Sequence, residues 1–263
     1  LSRHTDRPSS RINKARSRSG IKLVEVIFVL ALVAVLLSLA MMQLRSSRES
    51  SRRIGCEENL RAVFLAMETY ALQNGSFPIG TQDSNSPIRS VAEGYHHNWV
   101  SGILPQLDRQ ALYEAIDFDH SVYANENVAV ATTALPMIRC PAAEQTLPPY
   151  ATCYAGVTSS KETPIDEVND GMFLLNRALS PDDAEDGASY VFMIGEKSLD
   201  FAGPTQWNSG TRTSLRTTGH PLSITSKIDQ LKSQAESNPL FVGGFSSNHV
   251  GGSYFLTVGG EFR

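Results

Sequence analysis

The sequence predicts an α+β protein in which a long N-terminal transmembrane helix packs on a head built around an antiparallel sheet. Three observations predict it. Residues 21–44 are apolar except for Lys22, Glu25, Ser38 and Gln43, which is long enough to cross about 30 Å of hydrocarbon. Beyond them Leu60, Val63, Phe64, Met67, Tyr70 and Ala71 recur at spacings of three and four, with no proline before Pro78, so the helix continues as an amphipathic one. Later runs of β-forming residues are separated by turn dipeptides and not by crossover helices, which favours antiparallel pairing.

Residues 1–20 form a basic leader. They carry Arg3, Arg7, Arg11, Lys14, Arg16 and Arg18 against Asp6. Cationic flanks stay on the cytoplasmic side, so the N-terminus faces in and everything after the span faces out. The chain's net charge of −4 hides an acidic body, because from residue 54 onward there are 12 Lys/Arg against 24 Asp/Glu. Such a body argues against nucleic acid as a partner.

The helix is expected over residues 21–72, with 21–44 in the membrane and Asn74-Gly75 supplying a left-handed stop. Arg45, Arg48, Arg52 and Arg53 follow the span on its outer side. They are placed to snorkel to lipid phosphates or to meet acidic heads of neighbouring subunits. The head, residues 73–263, is large enough for its own core. In it Leu104, Leu107, Ala111, Leu112, Ala115 and Ile116 share one face and predict a helix over 103–116. Strands are expected at 150–157, 171–175, 189–195, 241–245 and 253–258, parted by Asp170-Gly171, Asp186-Gly187 and Gly251-Gly252. Residues 202–236 are polar and read as a surface excursion with a helix near 226–236.

The three cysteines, Cys56, Cys140 and Cys153, form no C-x-x-C pair, and no zinc spacing arises with the histidines. In an exported protein they imply one disulfide and one leftover thiol.

Glu25 stands five residues after Gly20 at the start of an apolar helix, where charge is expensive: about 2.5–3.5 kcal/mol at a helix centre on insertion scales. Basic leader, Gly20 and Glu25 together resemble the type IV prepilin signal. The resemblance implies cleavage between Gly20 and Ile21, N-methylation of Ile21, and a role for Glu25 in assembly, within a pilin-like fold. Two competing readings are a signal peptide cut near Ser38-Leu39-Ala40 and a plain anchor in which Glu25 has no function.

Further motifs extend the resemblance over nearly the whole chain. Cys56-Glu57-Glu58-Asn59-Leu60, then Tyr70 and Gly75-Ser76-Phe77-Pro78, open the series. Trp99 with residues 103–113, Arg139-Cys140-Pro141, Tyr154-Ala155-Gly156 and Asn169-Asp170-Gly171-Met172-Phe173 follow. Asp186-Gly187-Ala188-Ser189 with Ile194-Gly195-Glu196, and residues 245–252 around His249, complete it. In this order they resemble a planctomycete-type family of prepilin-like proteins whose domain has no assigned function. Cys56 and Cys140 coincide with cysteines of that pattern and Cys153 does not, which implies a Cys56–Cys140 bridge. The family closes on a His, nine residues, then Asp-Gly; here His249 is followed by Gly259-Gly260, so the Asp is missing. Tyr190, Lys22 and Ile21 also depart from the pattern.

Other candidate chemistry is thin. Asp182, Asp183 and Asp186 invite a calcium reading, which the resemblance to pseudopilins, some of which bind calcium in distal loops, also implies, but Ala184 and Met193 break the EF-hand template. No cofactor is otherwise implied. His249 and His96-His97 lack any matched nucleophile or hydrolase motif. His249 reads as a hydrogen-bonded histidine with Asp200, Glu196 or backbone carbonyls as partners. Trp99 and Trp207 are candidates for a glycan groove. The expected function is a non-enzymatic, single-pass inner-membrane subunit of a pseudopilus or type IV pilus-like, type II secretion-like assembly. Its partners would be lipid, other pilin-like subunits and the prepilin peptidase. The alternative is a surface-anchored glycan- or protein-binding module.

Overall fold

With no proline to break it, the first apolar segment and the amphipathic one after it form a single helix, α1, over Leu23–Asn74. The computed structural model describes residues 23–143, 147–197, 205–222, 228–249 and 251–263, with only the backbone given for Arg45 and Ile228. Gly20, Ile21 and Lys22, the expected cleavage and methylation site, therefore lie outside the described residues, as do the leader and Asp200. The chain divides into two units between Ser47 and Arg48.

In the first unit every side chain from 23 to 44 is exposed. This is the one described helix long and apolar enough to cross a membrane, and it lies near the N-terminus. Length and composition suit a membrane anchor or a signal sequence.

In the second unit α1 turns one face inward. Cys56, Leu60, Val63, Met67 and Ala71 are buried while Leu65 and Leu72 stay exposed, the alternation a 3.6-residue period gives. The helix ends two residues later than expected. Gly75 adopts φ 79° and its N–H reaches the Ala71 carbonyl at 2.8 Å, a left-handed stop that a side chain would strain.

The head's main sheet contains β3 (Tyr154–Ser159), β4 (Phe192–Glu196), β5 (Leu215–Thr217) and β6 (Phe255–Thr257), in the order β5-β3-β4-β6. β4 pairs antiparallel with β3 and β6, Gly195 facing both Ala155 and Phe255. β5, however, runs parallel to β3, with Gly156 opposite Leu215. The sheet is thus mixed, and the wholly antiparallel expectation is corrected. A two-residue pair, β1 (Thr81–Gln82) and β2 (His97–Asn98), lies outside it. Trp99, Ile103, Leu104, Tyr154, Phe173, Ile194, Leu215 and Leu256 share one core with Leu60, Val63 and Met67 of α1.

Several elements differ from expectation. The single helix over 103–116 is broken. Pro105–Leu107 form a 3₁₀ turn, Asp108 takes the left-handed conformation (φ 57°, ψ 36°), and only Gln110–Glu114 is α-helical. Asp tolerates that conformation because its short side chain clashes little, so the apolar face survives while the helix does not. Residues 171–175 and 241–245 are buried but not laddered into strands. Phe173 N–H bonds the Val157 carbonyl and Gly243 accepts from Thr217, single bonds that satisfy the backbone where it crosses the sheet.

The largest correction concerns residues 207–217. Within a segment expected at the surface, all eleven are buried and the stretch contributes β5. Many of its polar groups are paired, with one another or with neighbouring segments. Ser214 Oγ donates to the Ser209 carbonyl at 2.7 Å, and Arg212 donates to the carbonyls of Phe241 and Ala235, each at 2.9 Å. Buried polar groups are tolerated when paired in this way. The helix expected next to it is present as Ile228–Ser237.

Candidate functional site

Trp99 and Trp207 are each wholly buried. Trp99 Nε1 donates to the Ser214 carbonyl at 2.9 Å and Trp207 Nε1 to that of Thr133 at 3.0 Å. They are core residues, and the glycan-groove expectation for them is corrected.

The acidic turn behaves as local structure. Asp183 accepts from the Ser180 N–H at 2.6 Å and from its hydroxyl at 2.8 Å, a capping box on the short 3₁₀ turn Pro181–Asp183. Those bonds hold its carboxyl below the usual range. Asp182 and Asp186 are exposed, and the three acids do not gather into a ligand set among the described residues. Asp183 and Asp186 instead border a cleft of about 460 Å³ shared with Asp170, Arg177 and Tyr190.

One group of metal-ligating side chains does converge among the described residues: Cys56, Cys140, Glu196 and His249, with ligand atoms all within 4.8 Å of one another. Each comes from a different part of the head. Cys56 is buried on α1. Cys140 follows the 3₁₀ turn Pro136–Ile138, and Asn59 Nδ2, one helical turn from Cys56, donates to the Arg139 carbonyl at 2.7 Å. This clamp presents Cys140 to the helix, and the structure joins Cys56 to Cys140 as a disulfide with Cα atoms 5.1 Å apart. Cys153 is buried and takes no part in the disulfide.

Glu196 ends β4 and is 2% exposed. Its Oε2 accepts from Ser247 Oγ at 2.8 Å and from the Tyr254 N–H at 3.1 Å. Oε1 has no hydrogen-bond donor. Burial pushes this carboxyl up, outweighing those two bonds and the nearby His249.

His249 is held by its backbone N–H on Ser247 Oγ at 3.1 Å. Its Nδ1 lies 2.8 Å from Glu49 Oε1. Nε2 lies 3.1 Å from Cys56 Sγ, 3.3 Å from Cys140 Sγ and 3.7 Å from Glu196 Oε1. The hydrogen bond from His249 holds the Glu49 carboxyl below its ordinary value, against a smaller opposing effect of burial. A carboxylate only accepts, so Nδ1 carries the hydrogen and, in the neutral ring, Nε2 turns its lone pair toward the sulfurs.

Sequence reasoning named Glu196 as a partner for His249 but missed Glu49. Glu49 and Cys56 are seven residues apart on one helix face, yet nothing local links that face to position 249. The other half of the C-terminal motif sits elsewhere. Gly260, at φ 83°, lies in the turn after β6, where an added Cβ would come within 2.5 Å of the Phe64 ring, two turns along α1 from Cys56. Glu25 occupies the first turn of α1.

No curated protein and no solved structure matches the chain. A family described as a protein of unknown function, DUF1559, matches residues 45–263. The match spans the whole head with Cys56, Cys140, Glu196 and His249 inside it, and the chain belongs to the DUF1559 family.

Proposed function

We propose that the protein is a prepilin-processed structural subunit of a pseudopilus or type IV pilus-like assembly. It is anchored in the inner membrane with its head on the outer side. The reading rests on one observation above others: Glu25 is the only acidic residue among the exposed apolar side chains of residues 23–44. In a lone anchor a carboxylate there is a cost. In a bundle, the free amine created at Ile21 by cleavage after Gly20 pairs with Glu25 of a neighbour. Charge pairing is stronger in a low-dielectric medium than in water, and a single stagger of the helices satisfies it. The protein acts by assembly and not by catalysis; lipid, the prepilin peptidase and other pilin-like subunits are its partners.

Breaking a buried pair typically costs about 3–5 kcal/mol. Glu25→Val should therefore leave membrane insertion and cleavage after Gly20 intact while abolishing incorporation into sheared filaments or crosslinked oligomers. Incorporation at wild-type yield would overturn the reading and favour an export-only anchor carrying a binding head. N-terminal sequencing of the membrane-bound chain provides the companion test, with Ile21 expected as first residue.

A further inference from the structure

The convergence of two sulfurs, one imidazole and one carboxylate is more than a disulfide needs. A cystine requires no nitrogen ligand beside it and no acid with an unpaired oxygen. Here both are present, buried and aimed at the same point. We propose that Cys56, Cys140, His249 and Glu196 form a four-ligand site for a thiophilic divalent cation of the zinc type, opened when the Cys56–Cys140 bridge is reduced.

The geometry is that of a tetrahedron with one edge closed. From ordinary zinc–ligand bond lengths, a thiolate and an imidazole nitrogen on one ion stand about 3.5 Å apart, nitrogen and carboxylate oxygen about 3.3 Å, and two thiolates about 3.8 Å. His249 Nε2 already stands 3.1 and 3.3 Å from the sulfurs and 3.7 Å from Glu196 Oε1. The bonded sulfurs must part, and all four ligand atoms already lie within 4.8 Å of one another. Glu196 Oε2 is taken by Ser247 and Tyr254, whereas Oε1, on a side chain almost wholly buried, lacks a donor. A buried oxygen in that state costs stability unless something fills its place.

The ring is also prepared. Glu49 holds Nδ1 at 2.8 Å, fixing the orientation and tautomer that leave Nε2 free, as carboxylates behind metal-bound histidines do. A cavity of about 10 Å³, lined by Cys140, Glu196, Ser246 and Ser247 but by neither Cys56 nor His249, adjoins the group and admits about one water-sized occupant. Two sulfurs with one nitrogen and one oxygen favour a soft or borderline ion over calcium or magnesium.

The chemistry balances in two steps. A dithiol reductant gives two electrons and two protons to the bridge and leaves as its own disulfide, converting Cys56 and Cys140 to thiols. Binding the cation then forms two metal–sulfur bonds and releases those two thiol protons. Disulfide and metal are thus exclusive occupants of one site, and each ties α1 to the loop at Cys140.

The test uses the full chain in detergent, carrying Cys153→Ser so that only two cysteines remain. It is reduced with a dithiol, desalted without oxygen and titrated with Co²⁺. One equivalent should bind, with thiolate-to-cobalt charge transfer and the intense visible bands of four-coordination, and Zn²⁺ should displace it. The oxidised chain should bind none. His249→Ala and Glu196→Gln should each weaken binding at least tenfold, and Glu49→Gln by about 10–100-fold. Two free thiols with no cobalt bound, or binding unchanged in His249→Ala, would overturn the proposal. If reduction alone unfolds the head, recovery of the native tryptophan emission on adding Zn²⁺ supports the site and failure to recover overturns it. The outcome is independent of Gly20 and Glu25, so the assembly reading stands or falls separately.

Discussion

The two ends of α1 are made of similar residues under different rules. Over residues 23–44 apolar side chains cover the whole circumference and all are exposed. Over residues 56–71 they keep to one stripe, and Leu60, Val63 and Met67 are buried while Leu65 faces out. A helix apolar on every side has no preferred face and is suited to lipid, whereas a striped helix is suited to a protein core with water behind it. Periodicity, more than hydrophobicity, distinguishes the two.

The comparison can be broken most forcefully at the staple. Cys56→Ala removes a crosslink closing 84 residues of chain, which chain-entropy arguments value at about 4–5 kcal/mol. Both tryptophans lie in the head and are buried, so their emission during denaturant unfolding of the full chain reads head stability directly. A fall of that order is expected; an unchanged midpoint would show that the bridge does not hold the head to its helix.

Next come paired truncations. Leu60→Ala empties part of the core and should cost about 2–5 kcal/mol. Leu36→Ala, in the exposed apolar stretch, should leave the same unfolding curve within about 0.5 kcal/mol. Equal effects from the two would abolish the distinction between the regions.

Histidine protonation should act on the head alone, since residues 23–44 contain no histidine. Burial lowers the pKa of His96 and of His97 below the ordinary histidine value of 6.5, against partial compensation from Asp83 for His96 and from the His120 carbonyl and Asp117 for His97. Below 6.5 the unfolded chain then binds protons that the folded chain refuses. Stability is therefore full above that pH and is lost as pH falls toward the folded-state values, by up to about 1.4 kcal/mol per pH unit for each histidine. His96→Gln should flatten the decline between neutral pH and the acid side. A slope identical to that of the parent would remove His96 from the account.

The smallest effect is expected at Leu72, on the outward face of the striped region and 82% exposed. Leu72→Gln should change unfolding by less than about 0.5 kcal/mol. A larger loss would mean that this face is covered by something in the assembled protein.

Local sequence placed the end of α1 to within two residues and showed its change of character, because helical period, proline absence and the Asn74-Gly75 stop are all local. It also located β3, β4 and β6 to within a few residues, with Asp186-Gly187 and Gly251-Gly252 standing just before the last two. What it could not show was decided by pairing across distance. Residues 207–217 look polar in isolation, yet they are buried because Arg212, Ser209 and Ser214 find partners supplied by the fold. The helix expected at 103–116 breaks at Asp108 although its apolar pattern continues. The sulfur, imidazole and carboxylate ligands stand at positions 56, 140, 196 and 249, too far apart for any spacing rule. Only the stacking of α1, the Cys140 loop, the end of β4 and the loop before β6 gathers them, because a site built from long-range contacts exists only where tertiary packing has already placed its backbone.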